Sequence, residues 1–149
     1  MTIKQVQDIQ PLEPVIRVHP DVVIMELVKN FMESPANLVI CVVDEEDKLL
    51  GLVSRKILFQ TVFSQHMKAD NPVRLLFQLL TAEVAGEIMI TEMVTTTPDE
   101  SIDDLIKKML ARNFYQIPVV DSEGHLLGLV NAWRLLQLWL QSEEDKISG

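Results

Sequence analysis

Ile117-Pro118-Val119-Val120-Asp121, followed after a turn by Leu126-Leu127-Gly128-Leu129-Val130, is the stretch that decides the fold, because the chain contains it twice. The first half carries the same pattern as Ile40-Cys41-Val42-Val43-Asp44 and Leu49-Leu50-Gly51-Leu52-Val53. The glycines of the two copies stand 77 positions apart (128 − 51), which sets the length of the repeat. A duplicated unit of this size predicts two similar half-domains that pack with pseudo-two-fold symmetry and form paired clefts where they meet.

The repeat extends upstream to a proline-aspartate pair, Pro20-Asp21 in the first copy and Pro98-Asp99 in the second. These pairs stand 78 positions apart (98 − 20), so one residue was lost between them and the glycines. The stretches before them, Val15 to Val18 and Met93 to Thr97, are rich in β-branched residues and are predicted to be short strands. Asp21 in the first copy, and Asp99 or Ser101 in the second, are expected to cap the helix that follows.

Apolar residues after each pair recur at positions i, i+3, i+4, i+7 and i+8. This spacing predicts an amphipathic helix in each copy, with one apolar face in the core. The two faces consist of Ile24, Leu27, Val28, Phe31 and Met32, and of Ile102, Leu105, Ile106, Met109 and Leu110.

A hairpin and a closing helix complete each copy. Gly124, and less comfortably Asp47, are expected to take positive φ in the hairpin turns. The unit is therefore β-α-β-β-α used twice, an α+β fold. The predicted strands are Leu38 to Val43, Leu49 to Val53, Ile117 to Val120 and Leu126 to Val130, and the predicted closing helices are 55–65 and 132–141.

This reading divides the chain into a first motif (6–66), a connecting helical segment (67–84) and a second motif (85–141). Pro72 suits the first turn of a short helix in the connecting segment. Residues 142–149 are expected to form a frayed tail.

Composition narrows the class of protein. Of the 149 residues, 48% are hydrophobic, yet no apolar run approaches the ~20 residues of a membrane span. The N-terminus lacks the apolar core of a signal peptide, so a cytoplasmic location is expected.

The length allows one compact domain, or two small ones that share a core. The apolar surplus is expected to be covered at a subunit interface, which favours a homodimer. The helix from Trp133 to Leu140, apolar almost all round, is the predicted contact.

Charge and reactive side chains argue against several functions. The net charge of −9 disfavours a nucleic-acid partner, since such binding depends on Lys and Arg. Cys41, the single cysteine, lies in an apolar run and is expected to be a buried strand thiol. His19, His66 and His125 have no Cys or acidic neighbours at ligand spacing, so no metal site is predicted. No catalytic triad order or phosphate-binding loop is present, and the sequence predicts a protein that is not an enzyme.

The repeat resembles the cystathionine-β-synthase (CBS) domain, whose tandem pairs are called Bateman modules. In the second copy the resemblance rests on Thr95 to Ile102, on Ile117 to Asp121 and on Gly128-Leu129-Val130-Asn131. In the first copy it rests on 17–21, 41–44 and 51–54. It covers roughly residues 6–140, and the three motifs in the same order, twice, make it specific.

The resemblance implies clefts that hold an adenosine-type regulatory ligand such as AMP, ADP, ATP or S-adenosylmethionine. The base would lie against apolar groups near the first strand and before the Pro-Val-Val-Asp strand, and a Ser or Thr and an Asp would meet the ribose and phosphates. By position, the second copy offers Thr91, Phe114, Tyr115, Gln116, Asn131 and Arg134, and the first copy offers Leu38, Val39 and Ser54.

The position of the ribose-binding Asp is occupied by Ile57 in the first copy and by Arg134 in the second. Arg134 donates hydrogen bonds only, so it suits a phosphate and cannot replace the ribose acceptor. Tyr115 either stacks on a purine or plugs the sheet edge, and Ser54 either meets an anion or only caps its helix. The second-copy cleft is predicted to be the better site, with modest affinity.

Three functions from different classes remain open. The first is a non-catalytic ligand-sensing module, for which Tyr115, Asn131 and Arg134 should lie together. The second is an interaction or dimerisation scaffold with degenerate ligand sites, which the missing carboxylates favour. The third is an enzyme with an unrecognised site.

Overall fold

The computed structural model describes residues 3–67 and 81–148, and for residues 65–67 it describes the backbone alone. The predicted connecting helix around Pro72 lies outside these residues. Within them, a 3-10 turn at Val6–Asp8 precedes ten regular elements. The strands are β1 (Arg17–Val18), β2 (Val39–Val43), β3 (Leu49–Ser54), β4 (Gln116–Val120) and β5 (Leu126–Asn131). The helices are α1 (Ile24–Glu33), α2 (Arg55–Met67), α3 (Ala85–Ile88), α4 (Ile102–Arg112) and α5 (Ala132–Ser148).

The chain forms two compact units. The first unit is Val15–Met93, and the second unit combines Met1–Pro14 with Val94–Gly149.

The first unit is a three-stranded sheet with helices packed on it. β1 runs parallel to β2, with Val18 opposite Val42, and β2 is antiparallel to β3, with Ile40 opposite Val53. The core of this unit takes residues from both long helices and all three strands. Its buried members include Leu27, Phe31, Ile40, Val42, Val53 and Leu58.

The second unit repeats this plan. β4 and β5 are antiparallel, with Ile117 opposite Val130, and the register shifts after Val119, as it does after Val42 in the first unit. Thr96 forms a parallel bridge with Val119, the counterpart of the pairing between β1 and β2. The predicted strand from Met93 to Thr97 is thus reduced to one bridge. The core of this unit contains Ile102, Leu105, Met109, Ile117, Val119 and Val130.

The segment that leads into each copy packs in the unit of the other copy. Val6 and Ile9 are buried in the core of the second unit, and the amide of Val6 donates to the carbonyl of Glu100 at 2.9 Å. In the first unit, Ala85 takes the equivalent place, and its amide donates to the carbonyl of Val22 at 2.8 Å. Nothing in the spacing of these residues along the chain predicts this exchange.

The repeated glycines give the lead-in segments room. A Cβ atom on Gly128 would lie 2.9 Å from the Cβ of Leu12, and one on Gly51 would lie 2.8 Å from the Sδ of Met89. At Gly128 the contact is with a Cβ atom, so the segment around Leu12 would itself have to move, and glycine is favoured there because of close approach. At Gly51 the flexible side chain of Met89 could give way, and the carbonyl oxygen of Ile90 at 3.0 Å sets the remaining limit.

The β-α-β-β-α unit, used twice in an α+β fold, is confirmed. Positive φ is confirmed at Asp47 (64°) and Gly124 (90°). Ser101 caps α4, since its hydroxyl accepts a hydrogen bond from the amide of Asp104 at 3.1 Å. Asp21 as a cap is wrong, because Val23 holds the N-cap position of α1 and no side chain caps it.

Two further corrections concern helix faces and the C-terminus. Met32 and Leu110, the last members of the two predicted apolar faces, are exposed, whereas the earlier members are buried or half-buried. The predicted frayed tail is wrong for residues 142–148, since α5 continues to Ser148. Within α5, Leu135 is buried, and Trp133, Leu136, Trp139 and Leu140 are exposed.

Candidate functional site

The predicted ligand residues of the second copy meet at one end of the β4–β5 hairpin. Gln116, the first residue of β4, lies opposite Asn131, the last residue of β5. The amide of Ala132, at the start of α5, donates to the carbonyl of Tyr115 at 2.8 Å. The structure therefore brings Tyr115, Gln116 and Asn131 together beside the first turn of α5, which carries Arg134.

The aromatic side chains at this place are accessible. Tyr115 is 55% exposed and Phe114 is 43% exposed, whereas Gln116 is buried. An exposed ring beside polar groups can stack on the face of a planar base, and burial of that face would be favourable. Gln116 forms part of the wall of the site with its backbone and its buried side chain.

The side chain of Asn131 makes a hydrogen bond within the protein, in addition to any contact with a ligand. Its Oδ1 accepts a hydrogen bond from the amide of Trp133 at 2.8 Å, which fixes the carboxamide at the start of α5. The remaining amide nitrogen is a donor only. Asn131 is therefore oriented in advance to donate to a hydroxyl or phosphate oxygen.

Arg134 is half-buried and held by two long hydrogen bonds. Its Nη2 donates to the carbonyl of Gln10 and its Nη1 to Oε1 of Gln137, each at 3.5 Å. Bonds of this length are at the weak end of the range. The guanidinium can therefore turn to an anionic group at small cost. The contact with Gln10 was missed by the sequence analysis, since nothing in the residue spacing places the N-terminal segment beside the second copy.

The corresponding place in the first unit is more apolar. Val39 lies opposite Ser54, and the amide of Arg55 donates to the carbonyl of Leu38 at 3.4 Å, so Leu38, Val39 and Ser54 also meet. The hydroxyl of Ser54 accepts from the amide of Ile57 at 3.1 Å, as a helix cap does. Ile57 itself packs against the core of this unit. The first copy thus offers one hydroxyl, that of Ser54, at the place of Asn131, and the apolar Ile57 at the place of Arg134.

Thr91 is the one predicted residue that the structure does not group with the others. It is exposed, directly after Ile90, whose backbone pairs with Leu52 in the first unit. Its role as a ligand residue of the second copy stays a prediction.

Side chains suited to other chemistry lie elsewhere or are inaccessible. Cys41 is buried, and burial raises the pKa of its thiol to about 12, so the nucleophilic thiolate is scarce at neutral pH. Across residues 3–67 and 81–148, no group of three or more His, Cys, Asp or Glu side chains could hold a metal ion. None of the helices in the same residues combines the length and hydropathy of a membrane span.

Several known proteins resemble this chain over most of its length. CBSX1, a chloroplastic CBS domain-containing protein of Arabidopsis thaliana, is 27% identical over 116 residues, which make up 67% of this chain and 49% of CBSX1. MK0525 of Methanopyrus kandleri is 25% identical over 66% of this chain and 45% of its own length. The chain thus spans about half the length of these relatives. An inosine-5'-monophosphate dehydrogenase of Methanocaldococcus jannaschii matches 91% of this chain, but only 24% of the enzyme.

Solved structures share the fold over nearly the whole chain. The CBS domain pair of MJ0100, in complex with 5'-methylthioadenosine and S-adenosyl-L-methionine, has a TM-score of 0.72 and 26% identity, covering 94% of this chain and 98% of the other. CBSX2 of Arabidopsis thaliana has a TM-score of 0.73 and 22% identity, covering 96% and 99%. The family model of the CBS domain matches residues 6–63 and again 85–140. The chain belongs to the CBS domain family and carries the domain twice.

Proposed function

We propose that the chain is a regulatory module without catalysis of its own, and that its second unit binds an adenosine-type ligand. CBS domain pairs are in general regulatory parts of proteins. The observation that carries the proposal is the grouping of Tyr115, Asn131 and Arg134 at the start of α5. The exposed aromatic face matches a base, and the fixed amide donor matches a ribose. The guanidinium, which can turn, matches a phosphate.

The likeness to the MJ0100 domain pair supports this ligand class. That protein binds two adenosine compounds, and it shares 26% identity over 94% of this chain. CBSX2, which is also known in complex with AMP, shares the fold. Because Arg134 is positively charged and S-adenosylmethionine carries no phosphate, we expect AMP, ADP or ATP to bind better than S-adenosylmethionine.

The affinity should be modest, because neither copy has a carboxylate at the ribose position. A dissociation constant in the micromolar range corresponds to about −8 kcal/mol. A ligand at about 100 times its dissociation constant stabilises the folded state by ~2.7 kcal/mol. For a chain of this length that is a rise in melting temperature of several degrees.

A thermal-shift screen of AMP, ADP, ATP and S-adenosylmethionine tests the proposal. At least one nucleotide should raise the melting temperature, and Arg134→Ala or Tyr115→Leu should abolish the shift. Tyr115→Leu places in the second copy the residue type that the first copy has at the corresponding position, Leu38. Arg112→Ala, in the last turn of α4, is the matched control that removes an arginine elsewhere. No shift with any of the four compounds at millimolar concentration would contradict ligand binding.

A further variant distinguishes binding of the ribose from binding of the phosphate at residue 134. Arg134→Asp supplies the carboxylate of the family pattern and removes the guanidinium. It should strengthen binding of adenosine and weaken binding of ATP, measured by calorimetry. Equal changes for both compounds would show that residue 134 does not face the ligand.

The alternative is an interaction or dimerisation scaffold whose ligand sites are degenerate. Ile57, partly buried against the core, favours it for the first copy. Either function is compatible with a homodimer built on α5, whose exposed Leu136, Trp139 and Leu140 form an apolar face. Sedimentation at micromolar concentration tests the dimer, and a soluble 17.0 kDa species would contradict it. The cytoplasmic location stays a prediction.

A further inference from the structure

The ribose of a nucleotide needs hydrogen-bond acceptors as well as donors. Each of its hydroxyl groups carries a hydrogen, and a hydrogen that leaves water without meeting an acceptor weakens binding. In the second unit, Asn131 offers a donor at this place, because its Oδ1 is engaged by the amide of Trp133 at 2.8 Å. The side chain of Arg134 contains donors only. The acceptors for the ribose therefore have to come from other residues.

Two acceptors lie beside Arg134. Its Nη2 donates to the backbone carbonyl of Gln10, and its Nη1 donates to Oε1 of Gln137, each at 3.5 Å. The carbonyl comes from the N-terminal segment, and the carboxamide comes from α5, one turn after Arg134. Because one guanidinium contacts both oxygens with its terminal nitrogens, the oxygens are spaced for a pair of adjacent donors. The neighbouring 2'- and 3'-hydroxyls of a ribose are such a pair.

The guanidinium can be exchanged for these hydroxyls without leaving either acceptor empty. Both hydrogen bonds of Arg134 are at the weak end of the range, and both acceptor residues are exposed. A phosphate attracts the guanidinium more strongly than a neutral oxygen does, since hydrogen bonds between charged groups are roughly twice as strong. When the guanidinium turns to the phosphate, the two oxygens become available to the ribose of the same ligand.

We infer that the carbonyl of Gln10 and Oε1 of Gln137 bind the ribose hydroxyls, in place of the carboxylate that this chain lacks. The inference rests on the proposed nucleotide site and adds a specificity to it, the preference for ribonucleotides over deoxyribonucleotides. Neutral acceptors bind a hydroxyl less strongly than a carboxylate does, which agrees with a modest affinity.

The first unit has one of these acceptors but not the arginine. Gln60 stands at the position of Gln137 (137 − 77), and Ile57 stands at the position of Arg134 (134 − 77). Ile57 packs against the core of the first unit and has no charge with which to bind a phosphate. Gln60 therefore provides a matched control for Gln137, with the same side chain at the corresponding position.

The experiment is calorimetric titration of the full-length protein with ATP, 2'-deoxy-ATP and 3'-deoxy-ATP. Loss of either hydroxyl should weaken binding to the wild-type protein about three- to tenfold, as the loss of one neutral hydrogen bond does. Gln137→Leu removes one acceptor at an exposed position and leaves the carbonyl of Gln10 in place. In this variant one deoxynucleotide should bind as well as ATP, and the other should still bind more weakly. Gln60→Leu should change none of the three affinities.

Equal affinity of the wild-type protein for the three nucleotides would overturn the inference and leave the nucleotide site standing. The inference is also wrong if both deoxynucleotides still bind more weakly than ATP to Gln137→Leu. If neither does, the carbonyl of Gln10 has no part in binding, and the assignment of two acceptors is refuted. A loss of affinity in Gln60→Leu would place the ligand in the first unit. Absence of binding by all three nucleotides would overturn the proposed site together with the inference.

Discussion

Leu105→Ala tests whether the periodic apolar face of α4 holds the second unit together. Leu105 is 0% exposed and belongs to a core cluster with Met109, Ile117 and Val130. The substitution removes three carbon atoms from that cluster and leaves a cavity. It changes no polar contact.

The expected loss can be estimated from burial. Three buried carbon groups at about 0.8 kcal/mol each contribute about 2.4 kcal/mol. The cavity adds to this, because the surroundings relax only in part, and buried Leu→Ala changes cost 2–5 kcal/mol in general. We expect about 3–4 kcal/mol. With roughly 2–4 °C per kcal/mol for a chain of this size, the melting temperature should fall by about 6–16 °C.

Leu110→Ala is the matched control, since it makes the same change in the same helix at a side chain that is 70% exposed. It should change the free energy of unfolding by less than about 0.5 kcal/mol. Urea unfolding followed by circular dichroism, at one protein concentration for all variants, measures both. If the two variants lose the same stability, the assignment of the buried face is refuted.

Three further tests concern the cap of α4, the close approach at Gly128 and the buried thiol of Cys41. Ser101→Ala should cost ~1 kcal/mol in urea unfolding because it removes the cap of α4, and Asp21→Ala, which removes no cap, should be close to neutral. Gly128→Ala should destabilise the fold by about 1–3 kcal/mol, since its Cβ would clash with Leu12, and unchanged stability would show that the segment around Leu12 yields easily. Cys41 should resist thiol reagents in the native protein and react with them in urea, because its thiol is buried. Burial raises the pKa of this thiol above its unfolded value of 9.0, so its contribution to the free energy of unfolding should be fully present below pH 9. That contribution should be lost as the pH rises towards 12.

The fold was largely predictable because its signals are local and occur twice. The spacing of Leu27 and Phe31, and of Leu105 and Met109, is fixed by helix geometry alone and led to the correct buried faces. The limits of those faces were not predictable. Leu110 continues the period, but the core ends before it, and only the neighbouring elements determine where a core ends.

The candidate site was predictable as a set of positions and not as a set of contacts. The resemblance to the CBS domain implied that Tyr115 and Asn131 belong to one site, and the pairing of β4 with β5 accounts for their proximity. The hydrogen bond from Arg134 to Gln10 joins residues 124 positions apart, and no local pattern encodes such a contact. The same holds for the burial of Val6 and Ile9, whose spacing suggests a face but not its partner.

The exchange of lead-in segments means that the repeat in the sequence is not the unit that folds. A chain cut between the copies would hold a first motif without Ala85 and Ile88, and a second motif without Val6 and Ile9, all of which are buried in the intact protein. Neither fragment could close its own core unaided. Two such fragments mixed together could restore it, each lending its leading segment to the other. Each copy therefore depends on the leading segment of the other for a closed core.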